Sequence, residues 1–133
     1  AAKQYKVDDL SKVAEKIVKA CGEDVNCYLK EIEKGENQNK KNQFAGLKAG
    51  YMIGVLGDAA ARDKLVEGLA GIENGAITFV ALQSIDHLAP EGAPEIITGL
   101  EELVEKNEKA GGSRKGANSM INTVIYRVSV RGS

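Results

Sequence analysis

At 133 residues, with 43% apolar and 28% charged side chains, the chain has the size and composition of one globular domain. A formal net charge of −1, no tryptophan and 5% aromatics supply neither the basic surface nor the stacking platform that nucleic-acid binding uses. No apolar run approaches the roughly 18 residues of a membrane helix, so no membrane insertion is expected.

The chain begins Ala1-Ala2, without methionine or an apolar leader, a start that suits a mature exported protein. Leu10, Val13, Ile17 and Cys21 then recur at helical spacing, as do Val25, Tyr28, Leu29 and Ile32. The turn between these two helices, Cys21-Gly22-Glu23-Asp24, is short. It sets Cys21 at the end of one helix and Cys27 in the first turn of the next. Antiparallel helix ends joined this closely bring Cα atoms within the roughly 4.4–6.8 Å that a disulfide needs. A Cys21–Cys27 disulfide is therefore expected; two reduced cysteines packed as small apolar residues are the alternative. Two thiolates without nearby histidines make a poor zinc site. An oxidised pair implies a periplasmic or extracellular location, and a reduced one a cytoplasmic location.

A polar stretch, "EKGENQNKKNQ", follows at residues 33–43. The next stripe is Phe44, Leu47, Tyr51 and Val55, with Ile53 and Leu56 beside it. Gly46, Gly50 and Gly54 stand at every fourth position of the same helix. Each costs about 1 kcal/mol relative to alanine, so a close approach should offset them, either inside the chain or against a second chain. Gly57-Asp58 ends this helix, and the Asp58 carboxylate is placed to cap the following one, which carries Leu65, Val66, Leu69 and Ile72.

Ile77, Val80, Ala81, Ile85 and Leu88 make the next stripe, stopped by "APEG" at residues 89–92. Pro94 opens another helix, where its missing N–H would be unpaired anyway, and Ile96, Ile97, Leu100, Leu103 and Val104 follow. The only histidine, His87, adjoins Asp86. Neighbours on a helix point about 100° apart and cannot form a dyad, so His87 reads as architecture. The glycine-rich, basic segment 110–119 lacks the order of a phosphate loop and reads as a linker. Over residues 123–130 the alternation Val124, Tyr126, Val128, Val130 suits an edge strand, whereas Met120, Ile121, Val124 and Val128 suit a helix.

Constant offsets link the segments. Ala49, Ile53 and Leu56 map onto Ala81, Ile85 and Leu88 at a shift of 32, and Leu65, Val66 and Leu69 onto Ile96, Ile97 and Leu100 at 31. Ala14, Val18 and Cys21 precede the first set by 35, and Ala117, Ile121 and Val124 follow the second by 36. These offsets select the helical reading of the last segment. "AGYMIGVLGDAAARDKLVEGL" and "ALQSIDHLAPEGAPEIITGLEEL" resemble short HEAT-type repeats of the bilin-lyase kind, with a small-residue first helix, a Gly/Pro/Asp turn and a second helix with paired aliphatics. The resemblance implies an all-α fold. It implies an α-solenoid of about three hairpins (near 7–34, 44–72 and 76–108) plus a terminal helix over 117–130. It implies a concave binding surface, no cofactor and no transferable catalytic residue; no metal site is expected either, since no second histidine exists to share a metal with His87.

The function expected is thus a non-catalytic scaffold that binds another protein or further copies of itself; a structural subunit of an extracellular or cell-surface assembly is the alternative. Charge is uneven: residues 86–112 carry seven acidic and two basic side chains, while 113–133 carry Arg114, Lys115, Arg127 and Arg131 and no acid. Solvated helix faces account for this, or a head-to-tail contact does. In the second case Ile121, Val124, Ile125 and Val128 form a partner surface, with Arg127 and Arg131 approaching Glu101, Glu102 and Glu105 of a neighbour.

Overall fold

A computed structural model describes residues 7–35, 40–72 and 74–131. The Ala1-Ala2 start, residues 36–39 of the polar stretch and the closing Gly132-Ser133 lie outside the described residues. Every regular element among them is helical: α1 (Val7–Cys21), α2 (Val25–Gly35), α3 (Lys40–Leu56), α4 (Ala59–Gly68) with a 3-10 turn after it (Leu69–Gly71), α5 (Gly75–His87), α6 (Pro94–Ala110), α7 (Gly112–Gly116) and α8 (Asn118–Arg131). The polar stretch is thus partly helical, with α2 running to Gly35 and α3 starting at Lys40.

Short-range chemistry sets most of the boundaries. Asp24 accepts from the main-chain N–H groups of Asn26 (3.0 Å) and Cys27 (3.3 Å) and so caps α2. Asp58 caps α4 through Ala61 N–H, and Asn74 caps α5 through Ile77 N–H, both at 3.0 Å. Each carboxylate or amide oxygen satisfies a first-turn donor that has no carbonyl ahead of it. Pro94 occupies the first turn of α6. Gly22 (φ 57°) and Gly92 (φ 85°) let the chain reverse after α1 and before α6 in a backbone region that side chains disfavour.

The helices α1, α3, α5 and α8 follow one another in a row, each packed on the next. Helix α2 lies on α3, α4 against α5 and α6, and α6 against α8. The core runs through these contacts. Tyr28, Ala49, Ile53, Ile85, Leu100 and Val128 are all fully buried.

Helix α3 departs from the expected orientation. Its buried stripe is Ala45, Ala49 and Ile53 with Gly46, Gly50 and Gly54, while Tyr51 and Val55 are 57% and 56% exposed. The glycines explain it. A Cβ added at Gly50 would stand 2.9 Å from Val80 Cγ1, and one at Gly54 would stand 2.7 Å from Ser84 Oγ. The bare backbone of α3 therefore lies directly on α5, and Ser84 Oγ donates a buried hydrogen bond to the Gly50 carbonyl (2.5 Å). The two alternatives for the glycines resolve at Gly50 and Gly54: the close neighbour belongs to the same chain.

The C-terminal region brings two more corrections. Residues 112–116, expected as part of a linker, form the short helix α7, packed on α6 and α8. Helix α8 is a helix and not a strand, but Ile121, Val124 and Val128, expected as a partner surface, are turned into the core of their own chain. They are 1%, 6% and 0% exposed, because α8 lies in the angle between α5 and α6 and covers its apolar stripe within the chain. Ile125 is half-buried, and Tyr126 and Val130 point outward.

Candidate functional site

The outer face of the helix row carries the exposed chemistry. Between α3 and α5 lies an open groove of about 290 Å³ lined by Tyr51, Gly54, Val55, Val80, Gln83, Ser84 and His87. Its floor is formed by two small residues, Gly54 and Ser84, with Ser84 packed where a Gly54 side chain would stand. Tyr51 and Val55 stand one turn apart on α3, and Gln83 and His87 one turn apart on α5. Each α5 residue lies 32 positions after its α3 counterpart, the offset found between the two segments in the sequence. Lys48 sits over the Tyr51 ring, its ammonium 5.0 Å from the centroid, so the rim of the groove is positive beside an aromatic face.

On the other side of α5 a second, more polar groove of about 510 Å³ is lined by Gln83, Asp86, His87, Pro90, Arg127 and Arg131. Gln83 and His87 belong to both grooves. His87 is exposed on the ridge between them and lines the first groove together with Val55.

Asp86 holds the second groove together. Its carboxylate, largely buried, meets Arg127 Nε at 3.2 Å and Arg131 Nη1 at 2.7 Å. Arg131 Nη1 directs its hydrogen bonds to the main-chain carbonyls of Asp86 (2.9 Å) and Ala89 (3.3 Å) at the end of α5. Asp86 Oδ1 accordingly receives the charge of Arg131 without a hydrogen bond of its own. A cation beside the last carbonyls of a helix also opposes their partial negative charge. The two arginines thus face Asp86 of their own chain. Glu101, Glu102 and Glu105 stand exposed on α6 and pair with neither of them among the described residues.

A buried arginine that the sequence reading did not single out ties the opposite side of the fold. Arg62, 5% exposed, sends Nη2 to Glu95 Oε1 (2.7 Å), Nη1 to the Leu88 carbonyl (3.3 Å) and Nε to Asp63 (3.1 Å). It falls three and seven residues before Leu65 and Leu69, on their stripe, and a charge in that register was the available signal. Glu95 lacks a side-chain N-cap ahead of it and accepts from its own main-chain N–H. That bond, opposed by partial desolvation and reinforced by Arg62, holds its carboxyl below the ordinary 4.5. Asn107 and Asn118 form a second buried polar contact (3.0 Å) joining α6 to α8.

Cys21 and Cys27 are disulfide-bonded, with Cα atoms 5.4 Å apart. Tyr28, fully buried beside them, donates its hydroxyl to the Gly22 carbonyl (2.7 Å), and desolvation pushes its pKa above 10.0. Among the described residues no three His, Cys, Asp or Glu side chains converge to hold a metal ion, and no helix is long and apolar enough to cross a membrane. Comparison with protein-family models, with curated proteins and with solved structures finds no match to this chain.

Proposed function

We propose that the chain is a non-catalytic, HEAT-like helical scaffold that binds a segment of another protein on the outer face of α3 and α5. The observation that carries this reading is the α3/α5 groove, where two large apolar side chains, Tyr51 and Val55, are more than half exposed beside a floor of Gly54 and Ser84. Leaving such side chains in water forgoes roughly 25 cal/mol for each Å² of apolar surface, which a partner's apolar residue would recover. The constant offsets and the row α1, α3, α5, α8 support the solenoid part of the reading. The Cys21–Cys27 disulfide supports export to an oxidising compartment.

The test is selection of displayed random peptides on the intact chain, with the Val55→Asp variant as counter-target. Peptides that bind the wild type and lose affinity on Val55→Asp, in a variant with unchanged thermal unfolding, are expected. Absence of any groove-dependent peptide ends the reading. A structural subunit that stacks end to end is the second reading, favoured by Tyr126 and Val130 at 68% and 50% exposure on the last helix of the row. Light scattering across a concentration series separates the two, because stacking raises the mass with concentration.

A further inference from the structure

The two grooves flanking α5 differ in chemistry and share a ridge. One is apolar, with Tyr51 and Val55 on its far wall. The other holds two guanidinium groups against one carboxylate, so it retains an excess positive charge. Arg127 is 56% exposed at the side chain, and its one ion pair among the described residues runs through Nε. Its two outer nitrogens make no ion pair among the described residues, and together they form an edge that takes a carboxylate in a two-pronged fashion.

We propose that this ridge recognises a peptide segment in which an apolar residue and a carboxylate lie about three positions apart, the first seated between α3 and α5 and the second on Arg127. The proposal deepens the binding reading above and rests on it. Charge complementarity selects the acidic member, because a basic or neutral residue would leave the excess charge of the arginine pair uncompensated. The spacing follows from the fold. Packed helices stand roughly 8–10 Å apart, and an extended chain advances roughly 3.3 Å per residue, so crossing α5 takes about three residues. Gln83, exposed on the ridge, offers an amide to the main chain of the crossing segment. Asp86 acts as the resident competitor: it occupies the arginines when no ligand does and limits how tightly an incoming carboxylate is held.

The experiment uses the selected peptides as fluorescent probes in anisotropy titrations against the full chain. Enrichment of Asp or Glu about three positions from an aliphatic or aromatic residue is expected. Replacing that acid by its amide should weaken binding about tenfold or more, and Arg127→Gln should do the same, since a charge-assisted hydrogen bond is lost in each case. The two changes together should cost little more than either alone. Affinity of the acidic peptide should fall with added salt, and that of the amide peptide should not. Asp86→Asn, which keeps the shape and removes the competing charge, should tighten the acidic peptide relative to the amide peptide. A merely structural Asp86 would not produce that split. If binding depends on Val55 but is indifferent to Arg127 and to the acid, the carboxylate site is wrong and the groove reading stands. If binding ignores Val55 as well, both fall. If the chain self-associates and Arg127→Gln abolishes it, the occupant is a second copy and the proposal of a foreign segment is overturned.

Discussion

Two of the seams that hold helix α5 are built on opposite principles. Against α3 the contact is steric: Gly50 and Gly54 have no side chains, Val80 and Ser84 fill the space, and one buried hydroxyl-to-carbonyl bond crosses. Against α8 the end of the contact is electrostatic, with Asp86 between Arg127 and Arg131 and the last carbonyls of α5 turned to a guanidinium. A steric seam fails when volume is added and is indifferent to salt. A charged seam fails when a charge is removed, and it weakens as ions screen it. The groove over the first seam is apolar because Tyr51, Val55 and Val80 line it and charge is confined to Lys48 at its rim; the groove over the second is cationic because two arginines share one acid.

The sharpest way to break the contrast is Gly54→Leu. The new Cβ alone would meet the Ser84 side chain at 2.7 Å and its Cα at 3.3 Å, so α3 and α5 must part. A loss of about 3 kcal/mol or more in urea unfolding is expected, larger than the gain in helix propensity and unaffected by salt. Asp86→Ala comes next. It leaves two arginines facing each other across a half-buried groove, and a loss of about 2 kcal/mol is expected at low salt, shrinking as salt is added. Equal salt dependence in the two variants would erase the distinction between the seams.

Reduction of the Cys21–Cys27 bond touches neither seam. For cysteines six positions apart the loop-entropy relation gives about 2 kcal/mol, so the urea midpoint should drop while its salt dependence stays that of the oxidised chain. The smallest effect is expected at the Arg62–Glu95 contact, which lies at a third place. The Glu95 pKa is lower in the folded chain than the ordinary 4.5, so folding favours its charged form. Its contribution is complete above that value and is lost as pH falls through the lower, folded value. Urea midpoints measured on acidification should fall more steeply below about pH 4.5 for the wild type than for Glu95→Gln.

What was legible in the sequence was local. Asp58, Asn74 and Pro94 act within the first turn of their helices, and the apolar period needs only one helix to be seen; the boundaries at Asp58 and Pro94 are visible in the sequence itself. The constant offset of 32 was legible too, and it joins Tyr51 to Gln83 and Val55 to His87 on one groove. The facing of α3 was not. Tyr51 and Val55 outweigh Ala49 and Gly50 on any scale of hydrophobicity, yet the smaller residues face inward because they allow the closer approach. The sequence points Arg127 and Arg131 toward glutamates of another copy for a related reason. Their true partner, Asp86, lies 41 and 45 positions away in the chain, and only the packing of α8 on α5 brings it near. Ile121, Val124 and Val128 looked unpartnered because a solenoid's last helix has one neighbour, whereas α8 has both α5 and α6.

The break between α6 and α7 has a consequence of its own. Gly111 and Gly112 both take positive φ, 70° and 59°, and added side-chain carbons there would meet nothing within 4 Å. The chain beyond them carries Ile121, Val124 and Val128 for the core, Asn118 for Asn107, and Arg127 and Arg131 for Asp86, so α8 brings its own set of addresses. A molecule cut between the two glycines would become a receptor and a tail peptide able to find each other again. Reassembly of the halves would turn the docking of α8 into a bimolecular equilibrium, measurable apart from the folding of everything that precedes it.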